Sequence, residues 1–157
     1  MEYPSFIAID ASSWEESAHP VAIAWSLTDG TIKTTLIQPE EDWDDWDTTL
    51  EMLHGISQDT LYQRGETTWS VIRELENDLE RPFMLTDDQD RCNALLESLY
   101  SSCDRDLSLE TGPFQEEVGS TDMEDWYEET AFHHQPCDER VRLMLNLWAD
   151  QAILNSI

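Results

Sequence analysis

Basic residues are what this chain has least of. Eight Lys and Arg stand against 35 Asp and Glu in 157 residues, a formal net charge of −27, and no window gathers the eight together. A phosphate-neutralising basic footprint is therefore missing, which disfavours long-range attraction to nucleic acid. No stretch approaches the ~20 consecutive apolar residues of a membrane span, so no membrane partner is expected. The opening Met-Glu-Tyr-Pro-Ser lacks the basic n-region and apolar run of a secretory signal, which predicts a soluble, cytoplasmic protein. Cys92, Cys103 and Cys137 are odd in number and lack metal-like spacing, so they read as reduced thiols. Internal repeats and low-complexity tracts are absent.

What is present is enough to build a core. The chain is 39% hydrophobic, with seven Trp, four Tyr and four Phe, which argues against disorder despite the charge. Its length fits one domain spanning 1–157. The acidity has two readings. One is a strongly solvated surface that maintains solubility; the other is an acidic decoy that imitates nucleic acid for a basic protein partner. Composition does not separate them.

Ile7 to Asp10, Val21 to Leu27 and Ile32 to Ile37 are β-rich runs, and Asp29-Gly30 between the last two is a hairpin signal. A three-stranded meander is expected to open the fold. Residues 40–66 read as turn-rich and acidic, with Trp43 and Trp46 packing over a sheet edge. Within them, His54-Gly55-Ile56-Ser57 has the form of a helix stop followed by a Ser N-cap. Thr67 or Thr68 can cap a helix carrying Val71, Ile72, Leu75 and Leu79, ended by Pro82. Phe83 to Thr86 is a fourth strand, followed by a helix bearing Leu95, Leu96, Leu99 and Tyr100. Residues 104–120 read as irregular, with a short fifth strand near Leu107 to Leu109. Asp122 to Phe132 can form an acidic helix. Pro136 stands near the first turn of a last helix whose apolar face is Val141, Leu143, Met144, Leu147 and Trp148. The order predicts an α/β domain, a mixed sheet covered by helices.

Acids sit at telling places in this scheme. Asp10 ends the first strand, where a carboxylate among apolar residues is costly without a partner or metal. Asp90 follows the fourth strand, in competition with Asp87 and Asp88, either of which can instead cap the next helix. Asp138 stands five residues after His133 at the start of the last helix, where it can also serve only as a dipole partner. Three carboxylates and a histidine are the set a two-metal phosphodiesterase site requires. The acids hold two cations ~4 Å apart, and the histidine deprotonates the attacking water. Of the adjacent His133 and His134, one is a bystander. The Trp residues read as core and cover, with base stacking the lesser alternative.

In this order the motifs resemble the DEDDh 3′–5′ exonucleases of the ribonuclease H-like fold, which include oligoribonuclease, ribonuclease T and polymerase proofreading subunits. Ile7-Ala8-Ile9-Asp10 is similar to the family's first strand. Pro20 to Trp25 through Asp29-Gly30 resembles its hairpin, and His54-Gly55-Ile56-Ser57 its "HGIs" stretch. Asp90 matches the second-motif acid, and His133 with Asp138 matches the His-x4-Asp of the third. The first motif departs from the pattern. Its Glu should stand two residues after Asp10, but that position is Ser12, and a neutral hydroxyl does not replace a carboxylate at a hard cation. Glu15 and Glu16 lie beyond the strand.

The resemblance implies a ribonuclease H-like mixed β-sheet flanked by α-helices. It also implies a metal-dependent 3′–5′ exonuclease acting on short single-stranded RNA or DNA. Asp10, Asp90 and Asp138 would bind two Mg²⁺ or Mn²⁺ ions, and His133 would be the general base. The missing Glu sets a second expectation beside it, a catalytically impaired member that serves as an acidic interaction module. A basic protein and a second copy of the chain, as a homodimer, are further partner classes.

Overall fold

The computed structural model describes residues 2–119 and 121–155. β1 (Ile7–Ala11), β2 (Pro20–Ser26) and β3 (Ile32–Leu36) form an antiparallel meander. The turn between β2 and β3 depends on Gly30, whose φ of 89° is a left-handed conformation that L side chains rarely adopt. Asp29 Oδ1 accepts the Thr31 N–H at 2.9 Å and closes that turn. β4 (Phe83–Thr86) pairs in parallel with β5 (Glu110–Pro113). The two pieces meet where Phe6 bridges Leu85 and the Leu85 N–H donates to the Ser5 carbonyl at 2.8 Å. The resulting order is β3-β2-β1-β4-β5, a mixed sheet of the kind the element order predicted.

Six α-helices accompany it among the described residues: α1 (Thr48–His54), α2 (Gln58–Arg64), α3 (Thr68–Asp78), α4 (Gln89–Ser101), α5 (Met123–Thr130) and α6 (Cys137–Asn155). Their ends follow local side-chain chemistry. Gly55, at φ 67°, closes α1, and Ser57 accepts the Thr60 N–H to open α2. Thr67 caps α3, Asp88 caps α4 and Asp122 caps α5.

Some boundaries differ from the sequence reading. Residues 40–66 are not turns throughout but contain α1 and α2. The fifth strand lies at 110–113 rather than 107–109, because Phe83 of β4 takes Glu110 as its partner. Leu107 and Leu109 pack into the core instead. α3 ends at Asp78, four residues ahead of Pro82. The acidic helix stops at Thr130, where Ala131 turns left-handed at φ 50°.

The pleat sorts β1 between two cores. Ile7, Ile9 and Ala11 face a cluster built with α3 and α4, which contribute Val71, Ile72, Leu75, Leu96 and Leu99. Phe6 and Ala8 face the other way, toward Val141 and Met144 of α6. Fully burying an Ile or Phe contributes roughly 1.5–3 kcal/mol, so these two layers, not the acid-rich surface, hold the fold. Trp25 is fully buried, and its indole N–H is satisfied by Asp78 Oδ2 at 3.0 Å. Asp10 shares the parity of Phe6 and Ala8, which aims its carboxylate at the start of α6.

Candidate nucleic-acid cleft

The strand ends and helix starts surround a cleft of about 380 Å³, within the range that holds a small ligand. Asp10 of β1, Asp87 after β4, Asp90 and Arg91 of α4, His133 and Arg140 are among the residues that line it. His54, closing α1, lines it too and lies with Nε2 3.3 Å from the Ala11 carbonyl oxygen. The loop after β1 is tied across the cleft mouth. Arg91 donates from Nη2 to the Ser13 carbonyl, and its guanidinium stands 4.7 Å over the Trp14 ring. Trp14 itself is 62% exposed.

Asp10 is buried, and both of its oxygens are occupied. Oδ1 accepts Arg140 Nη2 at 2.6 Å, and Oδ2 accepts the Cys137 backbone N–H at 3.0 Å. Arg140 Nη2 donates again to the Ile9 carbonyl at 3.1 Å, which fixes the guanidinium from a second direction. The first-strand acid is therefore neutralised within the protein, by a charge-assisted bond and by a helix N-terminus.

The other expected site residues are distributed differently. Asp90 is exposed in the first turn of α4, while Asp88 is that helix's cap. Asp87 lines the cleft and feels the charges of Arg140 and His133. Burial pushes its carboxyl above the ordinary carboxylate range, while Arg140 and His133 pull it down less strongly. His133 is exposed in a short 3-10 turn, its ring 4.8 Å from that of Tyr127. Asp138 lies partly buried in the first turn of α6 and is not among the residues lining the cleft. His134 lines it beside His133. Among the described residues, no group of three or more His, Cys, Asp or Glu is placed to hold a metal ion. Of the three expected metal ligands, Asp10 is in contact with Arg140, Asp90 lines the cleft from α4 and Asp138 lies outside its lining.

Ser12 does not face this cleft. A register shift between Asp10 and Ala11 breaks the alternation of β1. The Ser12 side chain turns instead to Asp45, and Glu15 and Glu16 are exposed on the following loop. Arg140 and Arg91 are cleft residues that motif spacing leaves out, whereas Asp87 is one of the two alternatives to Asp90 that the sequence left open. One signal for Arg140 exists: it and Arg142 are the only Lys or Arg after Arg105, and it stands two residues past Asp138.

No helix among the described residues is long and apolar enough to cross a membrane. No protein-family model matches the sequence, and neither does any curated protein. Solved structures do. A structure of Escherichia coli exonuclease I in complex with a 5cy-dT13 oligonucleotide superposes with a TM-score of 0.68 at 10% identity, covering 91% of this chain and 39% of that one. A complex of the same enzyme with dA16 gives 0.61 at 12% identity over 75% and 29%, respectively. Its zinc ion bound form with single-stranded DNA gives 0.60 at 10% identity, also over 75% and 29%. This chain therefore spans only about three- to four-tenths of the exonuclease I chains it matches. At such identities the likeness establishes architecture alone, a ribonuclease H-like mixed β-sheet flanked by α-helices.

Proposed function

We propose that this chain is one exonuclease-like domain that binds the end of a short single-stranded RNA or DNA in the cleft and hydrolyses it weakly or not at all. The carrying observation is the 2.6 Å contact between Asp10 and Arg140. Hydrolysis by the route the resemblance implies needs Asp10, Asp90 and Asp138 as metal ligands and His133 as base. That route starts from an Asp10 free to ligate. Loss of a ligand removes charge stabilisation worth orders of magnitude in rate. Binding asks less of the site. Arg91 supplies positive charge beyond the neutralised Asp10–Arg140 pair, Trp14 and Tyr127 supply ring faces, and the cleft volume suits one terminal nucleotide.

A second reading has its own observation. The charge of −27 favours a basic protein partner over a polyanion. One experiment separates them: labelled RNA and DNA oligonucleotides of two to twenty residues, incubated with Mn²⁺ and with EDTA. The proposal expects binding of the shortest substrates in both conditions and slow or no cleavage. Rapid Mn²⁺-dependent cleavage, abolished by Asp10→Asn, would show a working nuclease. Failure to bind any oligonucleotide, with tight binding of a Lys/Arg-rich peptide, would favour the interaction module.

A further inference from the structure

We infer that Arg140 is a resident cation: its guanidinium takes, at Asp10, the charge-neutralising place that a divalent ion would otherwise fill, so the cleft works without one. The inference rests on the proposed reading of the cleft only in assigning it a ligand. The pair itself stands on geometry. Asp10 is 7% exposed and its side chain contacts the Arg140 guanidinium at 2.6 Å, while the Arg140 side chain is 15% exposed. A buried carboxylate must have a counter-charge. Here a side chain of the same fold supplies it, with α6 adding the Cys137 N–H.

Three features make Arg140 a fixture rather than a mobile neighbour. Its Nη2 is held by two acceptors, Asp10 Oδ1 and the Ile9 carbonyl oxygen. It lies on the first turns of α6, the helix packed against β1, β2 and β3. Its planar guanidinium presents donors in a fixed fork that matches a carboxylate, which a flexible ammonium does not. A divalent ion approaching Asp10 would meet a positive charge already in contact with the carboxylate. A hard cation also needs several oxygen ligands, and none of the described residues form such a group around Asp10.

The test is Mn²⁺ binding, followed by electron paramagnetic resonance at about 0.3 M salt so that surface acids are screened. Four chains are compared: wild type, Asp10→Asn, Arg140→Met and the double variant. Wild type and Asp10→Asn should bind Mn²⁺ alike and weakly. Arg140→Met should gain a site at least tenfold tighter that the double variant lacks. A wild-type site that Asp10→Asn removes would overturn the inference, and so would a folded Arg140→Met chain with no such gain. Arg140→Met that folds only when Mn²⁺ is added would support it. Should that variant not fold at all, wild type against Asp10→Asn decides alone. Oligonucleotide binding in EDTA is measured separately. Its absence would remove the binding reading and leave the resident cation standing, whereas an Asp10-dependent Mn²⁺ site with binding intact would overturn the resident cation and leave oligonucleotide binding in the cleft standing.

Discussion

Ser12 Oγ donates a hydrogen bond to Asp45 Oδ2 at 2.7 Å while accepting the His19 backbone N–H at 3.0 Å. Ser17 Oγ donates to the other Asp45 oxygen at 2.9 Å, so the carboxylate is gripped from both sides. The position that lacks the first-motif Glu is thus 1% exposed and turned into a polar knot, away from the cleft. Ser12→Glu should not raise nuclease activity. It sets a second carboxylate against Asp45 at a position that is buried in the fold and should cost about 3 kcal/mol of stability. Denaturant unfolding and an Mn²⁺ nuclease assay check the two halves. A gain in cleavage would mean that the β1 backbone can turn residue 12 into the cleft.

Trp14→Ala should weaken binding of short oligonucleotides roughly tenfold, since stacking on one aromatic ring contributes ~1–3 kcal/mol per base. Stability should move by less than about 0.5 kcal/mol, because the ring is 62% exposed. Trp69→Ala is the control. Trp69 is 54% exposed and has its own guanidinium, that of Arg73, 5.2 Å away, but it lies on α3 outside the cleft. Equal losses from both variants would indicate contact with an unspecific surface.

The fold was legible where short-range chemistry decides it. Gly55 and Ser57 mark a helix end and a helix start through backbone conformation and capping alone, and Asp29-Gly30 marks its turn in the same way. β5 was displaced by three residues because its position is set by a partner strand far along the chain, not by its own pattern. The same limit applies to the site. Asp10 stood out as an acid at the end of an apolar strand, but its counter-charge, Arg140, is 130 positions away and belongs to no motif. The bulge after Asp10 is a one-residue irregularity of pairing, so spacing alone could not reveal that Ser12 had left the face Asp10 occupies.

His19 should make the fold acid-sensitive. Burial holds its imidazole below the ordinary value of ~6.5, outweighing the Pro20 and Asp45 carbonyls and the Asp44 and Asp45 charges that pull it up. With a lowered folded value, its contribution is present above about pH 6.5 and is lost as pH falls through the folded value. Other carboxylates titrate in the same range, so the readout is a difference. The stability gap between wild type and His19→Gln should be larger at pH 8 than at pH 5. A gap independent of pH would place the imidazole's ionisation outside the folding equilibrium.

Asp87 carries the opposite sign. Burial raises its carboxyl, so its contribution is present at low pH and is lost as pH rises through the raised value. Asp87→Asn should therefore stabilise the chain at pH 7 and leave it nearly unchanged well below the carboxylate range. Urea unfolding at both pH values tests this. Destabilisation at pH 7 would mean that attraction to Arg140 and His133 outweighs desolvation.

Charge and substrate length make the last prediction. The cleft holds Arg91 beside the neutralised Asp10–Arg140 pair, but a strand that extends beyond it meets a surface dominated by 35 acids against eight basic residues. A dinucleotide presents its phosphate to the cleft alone, whereas each further phosphate of a twenty-mer adds repulsion. Salt screens that repulsion over a Debye length of ~10 Å at 0.1 M. Rising monovalent salt should therefore strengthen twenty-mer binding or leave it unchanged, and weaken dinucleotide binding only slightly. Ordinary nucleic-acid binding shows the reverse, a steep loss of affinity as condensed counterions are no longer released. Titrating both lengths at 0.05 and 0.2 M salt, in EDTA, distinguishes the two regimes. A twenty-mer that binds more tightly than the dinucleotide and weakens steeply with salt would require a continuous basic track. The eight Lys and Arg are too dispersed along the sequence to predict such a track.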